Sequence, residues 1–344
     1  MELVVQNNVS LAPYTTLGVG GPADYFVVVH TVKELEAALQ FAKQTAVPPL
    51  VLGGGSNVVL SDAGYRGLVI INHITGRQYK EAGGDVLFSC GAGEVLDDAI
   101  ADTVARTYWG LENLSAIPGS VGATPIQNVG AYGVEVADVV QSVSAIHQET
   151  LEVKTFTPAE CVFGYRDSYF KTLAGQKWVI TSVDFLLHTV ARPKLAYADL
   201  QHLDHAEITQ AKIREAVIAV RAGKFPDWHT VGTVGSFFKN PVITKEAFQL
   251  LQSKYPNLPG HETPAGVKIP LGWVLDKVCG LKGHTDGVVG LFEQQALVLV
   301  AKPGATAAQI IAFAHAVIEK VKIETNLSVE REATVYDEVG RSAS

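Results

Sequence analysis

The most constraining feature of this chain is a 24-residue stretch, GLENLSAIPGSVGATPIQNVGAYG, at residues 110–133. It contains five glycines and two prolines but a single charged residue. Glycine and proline favour turns over regular helices and strands, whereas a solvated linker would carry more charge. The stretch therefore predicts an ordered, buried loop that lines a ligand.

The segments on either side predict both helices and strands. Tyr25–His30 has the pattern of a strand, and Thr31–Glu34 has the sequence of a capping box that opens a helix. That helix would place Leu35, Ala38, Leu39 and Ala42 on one buried face. Further strands are predicted at 50–52, 67–72, 86–90, 139–147, 151–156, 178–187, 296–301 and 327–335, and helices at 96–106, 209–222, 245–254, 271–279 and 305–320. The β-α-β opening indicates an α+β or α/β class.

Composition limits the kind of protein this can be. The chain has 344 residues, 47% of them hydrophobic, which is enough for two or three domains with a sizeable core. A net charge of −8 argues against a general nucleic-acid binder. No apolar run is long enough to span a membrane. Residues 1–10 lack the pattern of a secretory signal, so we expect a cytoplasmic protein.

Cysteines and histidines offer no metal site. Cys90, Cys161 and Cys279 are far apart and form no CxxC pair, and no HExxH occurs. Without a secretory signal, an odd number of cysteines predicts reduced thiols, which we expect to be buried as small hydrophobic residues.

Two glycine-rich segments are candidate nucleotide loops. Gly18–Ala23 formally matches the dinucleotide fingerprint, but a strand pattern follows it where a helix is required. Gly53–Asn57 follows a predicted strand and lacks the Lys-Ser/Thr pair of a P-loop. Its three glycines would let the backbone approach a diphosphate closely. An ordinary tight turn explains this segment equally well.

Three polar segments stand out for their neighbours. Gly164–Ser168 embeds a charged pair among aromatic residues, Gly235–Asn240 places a serine beside two phenylalanines, and Val329–Ala333 would put two glutamates on one face of a strand. Each has a simpler alternative: a surface arginine paired with Asp167, a strand edge before Pro241, or a pair of solvated carboxylates.

Together these segments resemble one family, the UDP-N-acetylenolpyruvoylglucosamine reductases (MurB). The similar motifs occur in the family's order and extend over nearly the whole chain. They are TTLGVGGPA (15–23), LGGGSNVVLSD (52–62), GLENLSAIPGSVGATPIQNVGAYG (110–133), CVFGYRDSYFK (161–171), GSFFKNP (235–241), LGWVLDKVCGLKG (271–283) and EQQALVLV (293–300).

The resemblance implies an α+β fold with two domains. Residues 1–205 would form an FAD-binding domain of the vanillyl-alcohol-oxidase (PCMH) type, with the flavin between two α/β subdomains. Residues 206–344 would form a MurB-type α+β substrate domain. The segment 194–200, KLAYADL, is similar to the tyrosine-bearing loop of the type I branch. We expect a monomer whose partners are the UDP-sugar and NADPH.

The resemblance also implies an activity: NADPH-dependent reduction of UDP-N-acetylglucosamine enolpyruvate to UDP-N-acetylmuramate through non-covalent FAD, with hydride from flavin N5. By motif position, Ser236 resembles the proton donor, Arg166 the arginine beside the enolpyruvyl carboxylate and Glu332 the glutamate opposite them. The implied substrate contacts are Tyr165, Tyr197, Lys224, Asn240 and Gln295. The implied flavin contacts are Gly53, Gly54, Gly55, Ser56, Asn57, Pro118, Gly119, Ser120, Gly122, Ala123, Ile126, Gly130 and Ile180.

One position departs from the family, and two other functions remain as alternatives. The loop 257–261 lacks a tyrosine that contacts the UDP in some type I members, which leaves His261 as a candidate replacement. An FAD-dependent alcohol oxidase of the same superfamily is one alternative; many of these tether the flavin to histidine or cysteine, and neither occurs in 52–62 or 110–133. A non-catalytic nucleotide-binding module is the other.

Overall fold

The structure, a computed structural model, describes residues 3–340 and 342–343. The helices are α1 Val32–Gln44, α2 Leu96–Ala105, α3 Pro158–Cys161, α4 Gln210–Lys224, α5 Lys245–Lys254, α6 Leu271–Trp273, which continues as the π-helix Val274–Val278, and α7 Ala307–Thr325. The strands are β1 Gln6–Ser10, β2 Pro22–Val29, β3 Pro49–Leu52, β4 Val58–Leu60, β5 Tyr65–Asn72, β6 Arg77–Ala82, β7 Asp85–Gly91, β8 Gly130–Ala131, β9 Val134–Glu135, β10 Val140–His147, β11 Val153–Phe156, β12 Trp178–His188, β13 Gly232–Ser236, β14 Val242–Ile243, β15 His261–Thr263, β16 Gly266–Lys268, β17 Thr285–Asp286, β18 Val289–Leu291, β19 Val298–Ala301, β20 Thr334–Tyr336 and β21 Ser342–Ala343.

The chain divides into two compact units that are not simply consecutive. The first contains residues 1–9, 23–55 and 66–222, and the second contains 10–22, 56–65 and 223–344. Two short amino-terminal segments therefore belong to the second unit. The boundary near residue 205, which the sequence predicts between an FAD-binding and a substrate domain, stays a prediction.

The first unit is built on two sheets. One has the order β1-β2-β5-β3, with β3 parallel to β5, and the other has the order β11-β10-β12-β7-β6. Helix α1 buries Leu35 and Leu39 in a core that includes Val27 and Ile70. A second core centres on residues such as Phe88 and supports α2 and the stretch 110–133, which is buried over 111–115 and exposed at Pro118, Ile126 and Gly133.

The second unit has its own core around the sheet β13-β19-β18-β17. Phe237, Phe238 and Leu271 are almost wholly buried there, together with apolar residues of α7 such as Ile310. A smaller sheet has the order β14-β16-β15, and β4 pairs in parallel with β20. This last pairing is how residues 56–65 join the second unit.

Most sequence-based predictions of helices and strands are confirmed, including the α+β class and the buried face of α1. Glu34 differs in detail: its amide binds Thr31 Oγ1, but its carboxylate accepts the N–H of His30 at 2.7 Å. The strand predicted over 327–335 is wrong. Within this range Arg331 makes an isolated bridge to Phe238, and the strand β20 begins only at Thr334.

Three further observations bear on the class of protein. Cys90, Cys161 and Cys279 are buried free thiols, as predicted. Burial raises the pKa of the Cys90 thiol to about 12, so this group is protonated at neutral pH. In the part of the chain that the structure describes, none of the helices combines the length and apolar character that a membrane crossing needs.

Candidate functional site

Two glycine-rich loops of the first unit pack backbone against backbone. The first follows β3, and the second lies within 118–123. A Cβ added at Gly54 would lie 2.8 Å from Gly119 Cα, and one added at Gly53 would overlap Ser120 Oγ. A Cβ at Gly122 would lie 2.5 Å from Ala92 Cβ. Such close approach requires glycine, because a side chain at any of these three positions would overlap its neighbour.

The start of α2 anchors the second loop. The N–H of Leu96 donates to Gly119 O at 3.0 Å, and that of Val121 to Glu94 O at 2.9 Å. Asp97 accepts a hydrogen bond from the N–H of Ala116. It also accepts hydrogen bonds from Nη1 and Nη2 of Arg214, with Nη2 at 2.9 Å from Asp97 Oδ2. Burial raises the pKa of Asp97, but the bonds from Arg214 and Ala116 outweigh it, so the pKa lies below its usual value.

Asp97→Asn should therefore lower the free energy of unfolding by about 1–3 kcal/mol at pH 7. A carboxyl whose pKa is depressed by folding contributes stability above its unfolded pKa, about 3.9. That contribution is lost as the pH falls through the folded pKa, so the difference between wild type and variant should shrink in acid. Urea unfolding of wild type and variant at pH 7 and at acid pH measures this difference in the free energy of unfolding.

Asp98→Asn is the matched control, because Asp98 is the next residue of α2 and is exposed. It should change stability by less than about 0.5 kcal/mol. Equal effects of the two substitutions at pH 7 would contradict the anchoring role of Asp97.

Arg166 is held in a tight turn beside the same glycine-rich region. Its φ is +53°, and Gly164 and Asp167 form a bridge around it. Its Nη2 donates to Gly130 O at 2.7 Å. A Cβ at Gly130 would lie 2.8 Å from Glu135 Cγ and 3.2 Å from Arg166 Nη1, so glycine at 130 leaves room for both side chains.

Side chains from both segments fix this turn. Asn128 is 1% exposed and donates to Gly164 O at 3.0 Å while accepting the N–H of Ala137. Ser168 Oγ donates to Ile126 O at 2.6 Å. The loop carrying Ile126 and Gly130 and the turn carrying Arg166 are therefore one hydrogen-bonded structure.

Two exposed tyrosines and a partly buried arginine complete this part of the first unit. Tyr165 is 36% exposed, and Tyr197 is 44% exposed with its ring edge-on to Tyr132 at 5.3 Å between centroids. Arg221 Nε donates to Ala116 O at 3.1 Å, and its guanidinium also bonds Tyr132. Burial lowers the pKa of Arg221, yet its ordinary value is so high that it stays a cation beside the loop.

In the second unit, a bulged strand presents Ser236. The pairing of β13 with β19 shifts between Thr233 and Ser236, and Gly235 has a φ of +72°. A bulge re-aims the side chains next to it. The following Phe237 and Phe238 are at most 1% exposed. The backbone carrying Ser236 is thus fixed by its buried neighbours while the serine stays partly exposed.

Glu332 and Asn240 lie close to this strand. The N–H of Glu332 donates to Phe237 O at 2.8 Å. Asn57 Nδ2 donates to Glu332 O at 3.2 Å. Asn57, a predicted flavin contact, is therefore hydrogen-bonded to the backbone of Glu332, a predicted catalytic residue. Asn240 Oδ1 accepts the N–H of Leu271 at 2.9 Å, and Gln295 Oε1 that of Leu297 at 3.3 Å.

The predicted site residues thus divide into two groups. Gly53, Gly54, Gly55, Pro118, Gly119, Ser120, Gly122, Ala123, Ile126, Gly130, Tyr165, Arg166, Ile180 and Tyr197 belong to the first unit, and Ser56, Asn57, Lys224, Ser236, Asn240, Gln295 and Glu332 belong to the second. His261 is exposed in β15, also in the second unit. Among the described residues, no cluster of three or more His, Cys, Asp or Glu side chains has the arrangement of a metal site.

Sequence reasoning missed four residues that position these groups: Asn113, Asn128, Asp97 and Arg221. Each acts on a backbone carbonyl or amide that is distant in the sequence. Single asparagines in glycine-rich loops ordinarily indicate turns. The only usable signal in the sequence was the charge of Asp97 and Arg221 on helices that also carry buried apolar residues.

Comparisons with known proteins match both units. Residues 23–154 match the family described as FAD binding domain, and residues 227–336 match UDP-N-acetylenolpyruvoylglucosamine reductase, C-terminal domain. The chain is 40% identical to the UDP-N-acetylenolpyruvoylglucosamine reductase of Chromobacterium violaceum, over 97% of this chain and 100% of that protein. It is 39% identical to the reductase of the same name from Pseudomonas putida, over 98% and 100%.

A solved structure is similar along nearly the whole chain. It is the crystal structure of UDP-N-acetylenolpyruvylglucosamine reductase (MurB) from Thermus caldophilus, with a TM-score of 0.68 and 27% sequence identity. The match covers 97% of this chain and 99% of that one. The amino-terminal FAD-binding fold and the carboxy-terminal domain type expected from the sequence are thereby confirmed.

Proposed function

The chain belongs to the UDP-N-acetylenolpyruvoylglucosamine reductase family of FAD-dependent oxidoreductases, and on that premise we propose that it reduces UDP-N-acetylglucosamine enolpyruvate to UDP-N-acetylmuramate with NADPH. This reaction would supply a precursor of peptidoglycan. The observation that carries the proposal is the bulged strand that fixes Ser236 between Gly235, whose φ is +72°, and two buried phenylalanines. A purely nucleotide-binding module has no need for a serine presented in this way.

The glycine-rich loops would hold FAD without a covalent bond. The packing of Gly54 on Gly119 leaves backbone amides free of side-chain obstruction, and Arg221 supplies positive charge nearby. Ser56, Asn57, Pro118, Ala123, Ile126 and Ile180 complete the proposed flavin contacts. When bound, the flavin would accept a hydride from NADPH and pass it from N5 to the terminal carbon of the enolpyruvyl group.

Arg166 would stabilise the charge that develops on the substrate. Hydride addition to the terminal carbon places negative charge on the carboxylate as an enediolate. A guanidinium binds two oxygens at once through parallel hydrogen bonds, which suits a carboxylate better than lysine does. The bond from Nη2 to Gly130 O and the turn around Arg166 hold the guanidinium in one orientation before substrate arrives.

Ser236 would donate the proton that completes the reaction. The carbon next to the carboxylate needs a proton once the hydride has been added, and the enediolate is a strong base. A serine hydroxyl is a weak acid, so its position must compensate for its pKa. We assign Glu332 the task of orienting the groups around Ser236, because its backbone is bonded to Phe237, the residue after Ser236.

The remaining expectations are part of the same proposal. Tyr165, Tyr197, Lys224, Asn240 and Gln295 would contact the UDP-sugar, with His261 as a further candidate. We also propose an FAD-binding domain over 1–205, a substrate domain over 206–344, a monomeric state and a cytoplasmic location.

A visible spectrum of the purified protein tests the proposal directly. Under anaerobic conditions, NADPH should bleach the flavin absorbance, and the UDP-enolpyruvyl sugar should restore it. A protein that stays colourless after incubation with FAD would overturn the proposal. Bleaching that the sugar fails to reverse would contradict the substrate while leaving the flavoenzyme intact.

A further inference from the structure

A buried asparagine joins the two sheets of the first unit. Asn72 is the last residue of β5, in the sheet β1-β2-β5-β3, and is 6% exposed. Its Nδ2 donates to Ile180 O, on strand β12 of the other sheet, at 2.9 Å. Its Oδ1 accepts the N–H of Ile74 at 3.1 Å, which closes a turn directly after β5. One end of the amide thus shapes the turn while the other reaches the second sheet.

Asn72 also lies level with the start of the first glycine-rich loop. Strands β3 and β5 are parallel, and Leu52 pairs with Ile71. The next residues along the two strands are Gly53 and Asn72, so both leave the sheet at the same edge. The bond from Asn72 to Ile180 O is therefore made beside the point where the loop 53–55 begins.

Strand β12 is bulged at the place that Asn72 contacts. Its register with β10 shifts between Ser182 and Ile180, which makes Thr181 the extra residue. A bulge redirects the groups next to it. Thr181 O accepts the N–H of Ala92 at 3.0 Å, and Ala92 O accepts the N–H of Gly122 at 2.8 Å. The bulge that Asn72 holds is thus hydrogen-bonded, through Ala92, to the second glycine-rich loop.

Other contacts also join the two sheets. The N–H of Gly93 donates to Ile74 O at 2.8 Å. Val179 of β12 is buried in the same core as Ile70 of β5. These contacts remain when the amide of Asn72 is lost, so its loss should change the alignment of the two sheets and leave the unit folded. The bond from Asn72 differs from them in its partner, because Ile180 is a proposed flavin contact.

We propose that Asn72 is a positioning residue for the flavin. It fixes Ile180, and through the bulge the loop 118–123, relative to the loop 53–55. These two loops already touch at Gly54 and Gly119. The bond from Asn72 adds a second fixed point, and two points set an orientation that a single contact leaves free to vary. The inference rests on the proposed function for the place of the flavin between the loops, and the identity of the sugar does not enter it.

Asn72→Asp removes the bond to Ile180 O and little else. It keeps the shape of the side chain and the acceptor for the N–H of Ile74, but puts an oxygen where the donor was. The matched control is Gln210→Glu. Gln210 is 5% exposed, and its Nε2 donates to Thr107 O, which follows the end of α2 opposite the glycine-rich loop. Each substitution exchanges a buried amide for a carboxyl and removes one bond to a backbone carbonyl.

Binding of FAD separates the two variants. Both should lower the midpoint of thermal unfolding of the protein without FAD, because each loses a buried hydrogen bond. Only Asn72→Asp should also weaken the Kd for FAD, on the order of tenfold. At saturating FAD, the visible circular dichroism of the bound flavin should differ from wild type in Asn72→Asp and match it in Gln210→Glu. A loss of stability alone would not change this spectrum.

Asn72→Ser keeps the test decisive if Asn72→Asp does not fold. A serine hydroxyl can take the place of Oδ1 in the turn after β5, but its shorter side chain leaves Ile180 O without this donor. The same weaker Kd and altered flavin spectrum are expected. A Kd and a spectrum equal to those of Gln210→Glu would overturn the inference.

Failure of the proposed function would be recognised separately. Wild type that binds no FAD would refute the proposed function and the role of Asn72 together. Wild type that binds FAD but does not turn over the UDP-enolpyruvyl sugar, with the effects of Asn72→Asp present, would refute only the proposed substrate. The positioning role would then stand, because the Kd for FAD and the flavin spectrum are measured without the sugar.

Discussion

Ser236→Ala should slow turnover of the UDP-enolpyruvyl sugar by about 10²–10⁴-fold, the range typical of a lost general acid. The first half of the reaction, in which NADPH reduces the flavin, should keep nearly its wild-type rate. The fold should survive, because Phe237 and Phe238 fix this strand through their buried rings, and the Ser236 side chain is only partly buried.

Stopped-flow spectroscopy measures the two half-reactions separately. The protein is first reduced by NADPH without oxygen and then mixed with the sugar. Ser253→Ala is the matched control, because it removes a serine hydroxyl from an exposed position on α5 in the same unit. It should leave both half-reactions unchanged. Wild-type reoxidation by Ser236→Ala would show that the proton comes from another group, and equal slowing of both halves would indicate damage to the flavin site.

Local patterns predicted much of the fold because they depend on residues close in the chain. The spacing of Leu35, Ala38, Leu39 and Ala42 gave the buried face of α1 without error. The strand predicted around 329–333 was wrong for the converse reason. Its alternation is compatible with a strand, but a strand exists only where a partner continues, and here the bridge from Arg331 to Phe238 is isolated.

The site was predictable where backbone geometry demands one residue type. Glycines at 53, 54 and 122 are needed because a Cβ would clash, and glycine runs are visible in a sequence. The residues that orient the site were not visible. Asn113 bonds a carbonyl 81 positions away, and Arg221 one that is 105 positions away. No local pattern specifies such partners, since the fold alone brings them together. The inclusion of 10–22 and 56–65 in the second unit was hidden for the same reason.

Gly54→Val should yield protein that contains little or no FAD. A Cβ at this position would lie 2.8 Å from Gly119 Cα, which is backbone and has no side chain that can move aside. The two loops would have to separate, and the amides they present would lose their arrangement. Gly54→Ala introduces the same Cβ with less bulk, at an overpacking cost of about 1–3 kcal/mol, which is roughly a 5- to 150-fold weaker Kd for FAD if the whole cost falls on binding.

Gly223→Ala is the matched control, because a Cβ there would meet no atom within 4 Å. The two alanine variants therefore differ mainly in where the added methyl group lies. Flavin content is read from the absorbance of the purified protein and from titration with FAD, and circular dichroism checks that each variant is folded. Gly223→Ala should bind FAD as wild type does, and Gly54→Ala should bind it more weakly. A yellow, fully loaded Gly54→Val protein would mean that the contact between the two loops can open without loss of the flavin, and the cofactor would then have to be held by other parts of the first unit.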